Sequence, residues 1–282
     1  MRSDGAESRG VFYRFNYESD IFYRSLLHRG GKSQSIYTSS LLDCLREMER
    51  IKTYIQRLDE QLEGGVPKGT VSMICGTPGC MKSSVAYNIL YYNAVKDNLR
   101  GLFITLEQEI GGLKEQMRRL GMGEETANLV IVDHTVIDKE VGIEMRFDVN
   151  AIKKAKTFLS ELDTREKFDL IVLDPLNALY TLSTIKNPRR EIYRFFTDLR
   201  SMGLTSFVIS EMYPGEARFG KYGIEDFLSD AIIHLDFRRE RDMLERYIGV
   251  VKMRYTHHSL QYFPLVHERD QFAIYTKEEM EL

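Results

Sequence analysis

The chain has 282 residues, of which 43% are hydrophobic and 29% are charged. This composition is typical of a globular protein with a sizeable core, and it excludes a wholly disordered chain. The 39 Lys and Arg residues against 42 Asp and Glu give a formal net charge of −3, which argues against a generally polybasic nucleic-acid binder. No stretch approaches the ~20 apolar residues of a membrane-spanning helix and the first residues form no apolar signal core, so no membrane partner is predicted.

The cysteines and histidines indicate no metal centre. The three cysteines are odd in number and lack metal-ligand spacing, which favours a reduced, cytoplasmic location. The six histidines form no zinc motif.

Residues 1–37 are predicted to form an N-terminal tail, followed by one domain over residues 38–282. The tail is rich in Ser, Gly, Arg and acidic residues, but aromatic side chains are interspersed in it. Two interpretations stay open: a poorly ordered terminus, or an arm that docks on an unidentified protein partner. A helix capped by Ser39 or Ser40 is predicted to run to about residue 50.

The rest of the chain alternates between apolar runs and amphipathic stretches. Strands are predicted over residues 70–75, 101–105, 129–133, 169–174, 205–210, 231–236 and 247–254. Helices are predicted over residues 83–96, 112–120, 150–162 and 189–202. The first five strands are almost continuously apolar, which predicts an α/β fold with a mostly parallel central sheet flanked by helices. From residue 231 onwards tight polar turns join the strands, so antiparallel strands are expected at the C-terminal edge.

A phosphate-binding loop is predicted between the first apolar strand and the helix after it. The pattern G-x-x-x-x-G-K-[ST] needs a strand before it and a helix behind it, so that inward-turned backbone N–H groups and the helix N-terminus hold an anion. The matching residues are Gly76, Thr77, Pro78, Gly79, Cys80, Met81, Lys82, Ser83 and Ser84. Lys82 is expected to reach the β- and γ-phosphates, and Ser83 to ligate Mg²⁺. Met81 replaces the second glycine; a φ above zero there would cost on the order of 1–3 kcal/mol.

Two acidic residues follow other apolar strands. Asp174 ends the strand predicted over residues 169–174 and is expected to hold the Mg²⁺ shell beside the loop. Glu107 comes just after the strand at 101–105, where a carboxylate can polarise an attacking water. The alternative for Asp174 is a turn residue, and for Glu107 a solvated acid at the start of a helix.

With these residues in place, residues 50–275 resemble the KaiC-like branch of the RecA superfamily of P-loop ATPases. The lead-in LDEQLEGGVPKG, residues 58–69, is similar to the family pattern L-D-x-x-L-x-G-G-x-P-x-G. Residues 103–108, 209–211, 223–230 and 251–258 also resemble family segments. Glu107 matches the first of two adjacent glutamates, and Gln108 replaces the second. The resemblance implies a RecA-like fold and hydrolysis of ATP with Mg²⁺.

The resemblance also implies a homo-oligomeric ring, predicted to be a hexamer. Lys252, Arg254 and His258 match residues that bind phosphate in the neighbouring copy's nucleotide site. Lys252 and Arg254 are two residues apart on a predicted strand, so they share one face and can approach one anion. An arginine from a neighbour would stabilise charge on the transferring phosphoryl group. Without the resemblance, an ordinary basic strand face is the alternative.

Three functions are compatible with the sequence. The leading prediction is a Mg²⁺-dependent ring ATPase with a regulatory or signalling role. The second is a recombination-type, DNA-stimulated ATPase like RecA or RadA, indicated by basic residues in two segments after core strands: Lys186, Arg189, Arg190, Arg218 and Lys221. The third is a nucleotide-binding scaffold with weak hydrolysis, indicated by Met81 and Gln108.

Overall fold

The computed structural model describes residues 48–141, 151–181, 183, 185–240, 242–276 and 279. They lie in the second of the two units into which the chain divides, Met48–Leu282. The predicted tail over residues 1–37 and its boundary at residue 38 fall outside the described residues. Among the described helices, none has both the length and the apolarity needed to cross a lipid bilayer.

Strands and helices alternate along most of the described chain. The strands are β1 (Arg50–Ile51), β2 (Val66–Pro67), β3 (Val71–Gly76), β4 (Gly101–Thr105), β5 (Leu129–Asp133), β6 (Leu170–Asp174), β7 (Thr205–Glu211), β8 (Ala231–Glu240), β9 (Met243–Met253), β10 (Tyr262–Glu268) and β11 (Gln271–Ile274). The helices are α1 (Lys82–Lys96), α2 (Ile110–Arg119), α3 (His134–Val141), α4 (Ala151–Arg165), α5 (Leu176–Thr181), α6 (Pro188–Ser201) and α7 (Glu225–Leu228). A 3-10 turn covers Asp59–Leu62.

The central sheet confirms the predicted α/β fold. Its strand order is β11-β10-β9-β8-β3-β7-β6-β4-β5. The strands from β5 across to β8 are parallel, whereas β9, β10 and β11 pair antiparallel. One detail of the prediction was wrong: the strand that begins at Ala231 is parallel to β3 and lies inside the sheet, so the change of direction comes one strand later, at β9. Tight turns indicate that two consecutive strands form a hairpin. They do not indicate which strand pairs with the other side of the first of them, here β3 with β8.

Helices bury both faces of the parallel strands, as their continuous apolar runs require. Every residue of β3 and β4 is buried. Consecutive β3 residues alternate between two apolar clusters: Ile74 packs with α1 and α2, and Met73 packs with α4, α5 and α6. The carboxyl ends of the parallel strands therefore meet at one edge of the sheet, where loops of this fold class carry binding sites.

The predicted helix does not extend to residue 50, because Arg50 begins β1 and pairs with Pro67 of β2; the rest of that predicted helix lies outside the described residues. The Arg50 guanidinium donates to the carbonyl oxygens of Leu62 and Gly65 and to the hydroxyl of Thr256, at 2.9–3.2 Å. These tertiary hydrogen bonds outweigh the local helix preference, which is only a few tenths of a kcal/mol per residue.

Candidate functional site

The predicted phosphate loop lies between the carboxyl end of β3 and the start of α1. Gly76 is the last residue of β3, and β8 passes so close that a Cβ on Gly76 would lie 2.2 Å from the Leu235 carbonyl oxygen and 2.7 Å from Cys80 Sγ. Only glycine fits this close approach. The strand therefore ends in a turn that no side chain can fill, directly in front of a helix N-terminus.

Met81 adopts the left-handed conformation expected of the glycine it replaces. Its φ is 71° and its ψ is 28°, and it directly precedes Lys82, the first residue of α1. Its carbonyl accepts the Val85 N–H at 2.9 Å, which starts the hydrogen-bond ladder of the helix. The Met81 side chain packs against the core on the α1 face. This contact offsets part of the conformational cost of on the order of 1–3 kcal/mol.

Cys80 fills the inside of the loop. It is fully buried, and its thiol contacts the Thr77 carbonyl oxygen at 2.9 Å. Burial raises the pKa of this thiol, so it stays protonated and unreactive at neutral pH. The residue is a small packing element of the loop.

Lys82, Ser83 and Asp174 converge at the mouth of the loop. The Lys82 ammonium donates to the Thr77 carbonyl oxygen at 2.9 Å, and the Ser83 hydroxyl lies close enough to the Asp174 carboxylate to lower its pKa. Burial raises the pKa of Asp174 to about 6, against the opposing effects of Ser83 and Lys82. Because a buried carboxylate is costly to ionise in this position, the arrangement favours a cation beside Ser83 and Asp174.

Two further carboxylates lie at the same edge of the sheet. Glu107 follows β4 and its side chain is largely exposed. Partial desolvation of its carboxyl group, together with the charge of Glu211, raises its pKa. Glu211 ends β7 opposite Gly76, and Asn177 exchanges two hydrogen bonds with its backbone at 3.2 and 3.5 Å. Gln108 donates to Gln116 at 3.2 Å. Sequence reasoning had not singled out Glu211 as a charge neighbour of the site.

Sequence reasoning also missed two side chains that flank the loop. Phe237 of β8 lies 3.6 Å from the position that a Cβ on Gly79 would occupy. Arg246 of β9 lies over the Phe237 ring, with Cζ 5.4 Å from the ring centroid, and its Nε donates to the Gly79 carbonyl oxygen at 3.4 Å. No local motif marks these residues, because they reach the loop only through the β8–β9 hairpin.

Lys252, Arg254 and His258 lie away from the phosphate loop of the same chain. Met253, between the first two, pairs with Ala231, which pairs with Ser72 of β3. Ser72 is four residues before Gly76, and this corresponds to about 13 Å along the strand. Met253 therefore marks the opposite edge of the sheet, and His258 lies on the loop beyond it with Nδ1 at 3.0 Å from the Ser259 carbonyl oxygen.

Lys252 and Arg254 do contact one common segment, residues 226–230, which includes the end of α7 and the residues that lead into β8. The Lys252 ammonium donates to the carbonyl oxygens of Asp226, Phe227 and Ser229 at 2.9, 3.4 and 2.6 Å. Arg254 also donates to the Phe227 carbonyl oxygen, at 3.1 Å. Burial, helped by the nearby Arg254 charge, lowers the pKa of Lys252 to about 8.

A cavity of about 680 Å³ lies elsewhere, between α1, α2 and β5, and none of the predicted site residues lines it. In the described part of the chain, no three His, Cys, Asp or Glu residues are grouped as in an all-protein metal centre. A divalent ion held by Ser83 and Asp174 would therefore need phosphate oxygens or water as its other ligands.

Comparison with known proteins identifies the family. The family model described as the KaiC ATPase matches residues 51–279. A circadian clock oscillator protein KaiC of Picosynechococcus is 25% identical over 244 residues, which are 84% of this chain and 46% of that protein. The chain thus spans less than half the length of the clock proteins that it matches.

Shorter archaeal relatives align along most or all of their length. A UPF0273 protein of Methanocaldococcus jannaschii is 28% identical over 83% of this chain and 100% of its own length. One from Pyrobaculum aerophilum is 30% identical over 77% of this chain and 79% of its own length. The crystal structure of a KaiC-like protein from Pyrococcus horikoshii has the same fold, with a TM-score of 0.67 at 24% identity over 81% of this chain and all of that one. The family match over residues 51–279 shows that this chain belongs to the KaiC ATPase family.

Proposed function

We propose that this protein binds ATP with Mg²⁺ and hydrolyses it as a ring of identical copies, predicted to be a hexamer, with a regulatory or signalling role. The convergence of Lys82, Ser83 and Asp174 at the mouth of a left-handed turn is the observation that carries the proposal. In this arrangement backbone N–H groups and Lys82 hold the phosphates, while Ser83 and Asp174 hold Mg²⁺. The bound ion would neutralise charge that develops on the phosphoryl oxygens.

Glu107 is the proposed general base. It follows β4, its side chain is exposed at the edge of the sheet where the phosphates would lie, and its raised pKa makes it a better proton acceptor than an ordinary glutamate. Gln108 has no charge to contribute, and its amide hydrogen-bonds with Gln116. The chemistry proposed here therefore relies on a single adjacent carboxylate at this position.

The ring proposal rests on the distance between the two groups of site residues. Lys252 and Arg254 lie at the sheet edge opposite the phosphate loop, farther than their side chains reach within one copy. A neighbour in head-to-tail contact would bring them, and His258, to the nucleotide of the next copy. Arg254 is 45% exposed, so its guanidinium is accessible to such a ligand.

Steady-state ATP hydrolysis by the purified full chain tests the enzymatic proposal. Lys82→Ala should abolish nucleotide binding and turnover, whereas Glu107→Gln should retain binding and lose turnover. Glu109→Gln, an exposed acid two residues further on, is the matched control and should behave like the original chain. Activity of the original chain no higher than that of the Lys82 variant would refute hydrolysis.

Sedimentation with and without ATP tests the ring, and a monomer at micromolar concentration in both conditions would refute it.

A nucleotide-binding scaffold is the second candidate, and Gln108 in place of a second glutamate favours it. Tight ATP binding with negligible turnover, together with a gain of turnover in Gln108→Glu, would support this function over the first.

The DNA-stimulated alternative is tested in the same assay with single-stranded DNA. Its basic residues Lys186, Arg189, Arg190, Arg218 and Lys221 are all exposed. Absence of DNA binding at low salt would eliminate it.

A further inference from the structure

Asp230 is a buried carboxylate at the point where several elements meet. It directly precedes β8 and is only 5% exposed. Its backbone N–H donates to the Val71 carbonyl oxygen at 2.7 Å, and its own carbonyl accepts the Arg254 N–H at 2.9 Å. Asp230 therefore ties the start of β3 to the end of β9, far from the phosphate loop of its own copy.

Both carboxylate oxygens of Asp230 are engaged by cations. Oδ2 accepts from the Val71 N–H at 2.9 Å and from Arg200 Nε, at the end of α6, at 2.7 Å. Oδ1 accepts from Arg254 Nη1 at 3.0 Å. A buried carboxylate shared by two guanidinium groups is charge-compensated, and its hydrogen bonds are of the strong, charge-assisted kind.

Arg254 is consequently held at two points. One nitrogen donates to Asp230 and the other to the Phe227 carbonyl oxygen. The same segment, residues 226–230, is fixed independently, because Arg200 Nη2 donates to the Leu228 carbonyl oxygen at 2.8 Å and Lys252 donates to three other carbonyl oxygens in it. A long, half-exposed arginine would otherwise sample many rotamers, and fixing it beforehand removes that cost from ligand binding.

We infer that Asp230 is a positioning residue that aims Arg254 at a phosphate group bound by a neighbouring copy of this chain. The inference rests on the proposed function, since it requires a nucleotide at the neighbour's loop. Within one copy the two side chains also differ: the Lys252 ammonium donates to carbonyl oxygens of residues 226–229, whereas the Arg254 guanidinium is held with part of its surface free.

The experiment uses the full chain and two readouts, the affinity for a non-hydrolysed fluorescent ATP analogue and ATP turnover. Asp230→Asn keeps the shape and removes the charge that holds Arg254. We expect Asp230→Asn, like Arg254→Gln, to lower affinity by about tenfold and turnover by about a hundredfold. The double variant should be no worse than Arg254→Gln alone, because Asp230 acts through Arg254. Asp59→Asn is the matched control.

Asp59 accepts hydrogen bonds from the backbone N–H groups of Thr53 and Tyr54, and no arginine in the described part of the chain forms a salt bridge with it. Its loss therefore measures what a stabilising carboxylate contributes to folding alone. Melting curves of all variants accompany the assays. Arg254→Lys covers the case in which Asp230→Asn does not fold: a single ammonium cannot reproduce the two-point hold on Asp230 and Phe227, so this surface variant should lose nearly as much turnover as Arg254→Gln.

Mixing experiments separate the inference from the proposed function. Lys82→Ala has no functional nucleotide loop but an intact Arg254, whereas Asp230→Asn and Arg254→Gln keep the loop. In an equal mixture, a quarter of the neighbour contacts join an intact loop to an intact Arg254. Mixing Lys82→Ala with either variant should therefore restore about a quarter of the original activity. Three outcomes would refute the role of Asp230 and leave the trans arginine standing. They are restored activity with Arg254→Gln but not with Asp230→Asn, full activity of Arg254→Lys, and additive losses in the double variant. Full activity of Arg254→Gln would overturn the trans arginine and Asp230 together.

Discussion

The left-handed backbone at Met81 gives the sharpest test of the phosphate-loop geometry, through a comparison of Met81→Gly with Met81→Ala. Both variants lose the thioether and its packing, so their difference reports on the backbone alone. Val85 continues to bond the carbonyl of residue 81 in either variant, because that contact uses no side chain.

The magnitude follows from the φ of 71° at this residue. Alanine in this conformation carries a penalty of about 1–2 kcal/mol that glycine lacks, while the greater freedom of glycine in the unfolded chain takes back about 0.4–1 kcal/mol. We therefore expect Met81→Gly to be about 0.5–1 kcal/mol more stable than Met81→Ala. In an ordinary helical position the order is reversed, with alanine more stable by about 1 kcal/mol.

Urea titration and thermal melting of the two variants, without nucleotide, measure this difference. For a domain of this size, 0.5–1 kcal/mol corresponds to about 1–4 °C in Tm. The sign decides the outcome. A more stable alanine variant would show that residue 81 has ordinary helical backbone, and the phosphate-loop geometry built on it would be wrong.

Burial raises the pKa of Asp174 to about 6, so the folded chain holds a proton that the unfolded chain releases, and the free energy of unfolding falls as pH rises from about 4 to 6. Without nucleotide and metal, Asp174→Asn should be on the order of 2 kcal/mol more stable than the original chain at pH 7 and should converge with it below pH 4, in urea titrations at both pH values. Gly76→Ala places a Cβ 2.2 Å from the Leu235 carbonyl oxygen and should lower the free energy of unfolding by about 3 kcal/mol or more. Gly111→Ala, on α2 with nothing within 4 Å of the new Cβ, should raise it by up to about 1 kcal/mol in the same titration.

The parallel half of the sheet could be predicted from the sequence because its strands are buried on both faces. The predicted limits of β4 and β5 match the structure, because an apolar run bounded by polar residues fixes where a strand begins and ends. The parallel direction of β8 could not be predicted, because it depends on which strand lies on its far side. The short helix α5 was missed, because six residues are too few to establish a helical period.

The loop between β3 and α1 could be located because its residues are contiguous, and the left-handed conformation of Met81 is that of the glycine which the motif expects there. That this loop binds phosphate stays a prediction. Contacts built from distant segments left no trace in the sequence. Arg246 reaches Gly79 across the β8–β9 hairpin, and Asp230 joins Arg200 to Arg254. Their side chains are ordinary charged residues in strands and turns until the fold brings them together.

The placement of the phosphate loop and of Arg254 at opposite edges of one sheet has a kinetic consequence. On the proposed mechanism an isolated copy holds both halves of a working site but never joins them. Turnover per copy should then climb with the amount of protein at high dilution and level off once association is complete. The concentration of the protein in its cell would thereby control the ATP turnover rate of each copy, without any separate effector.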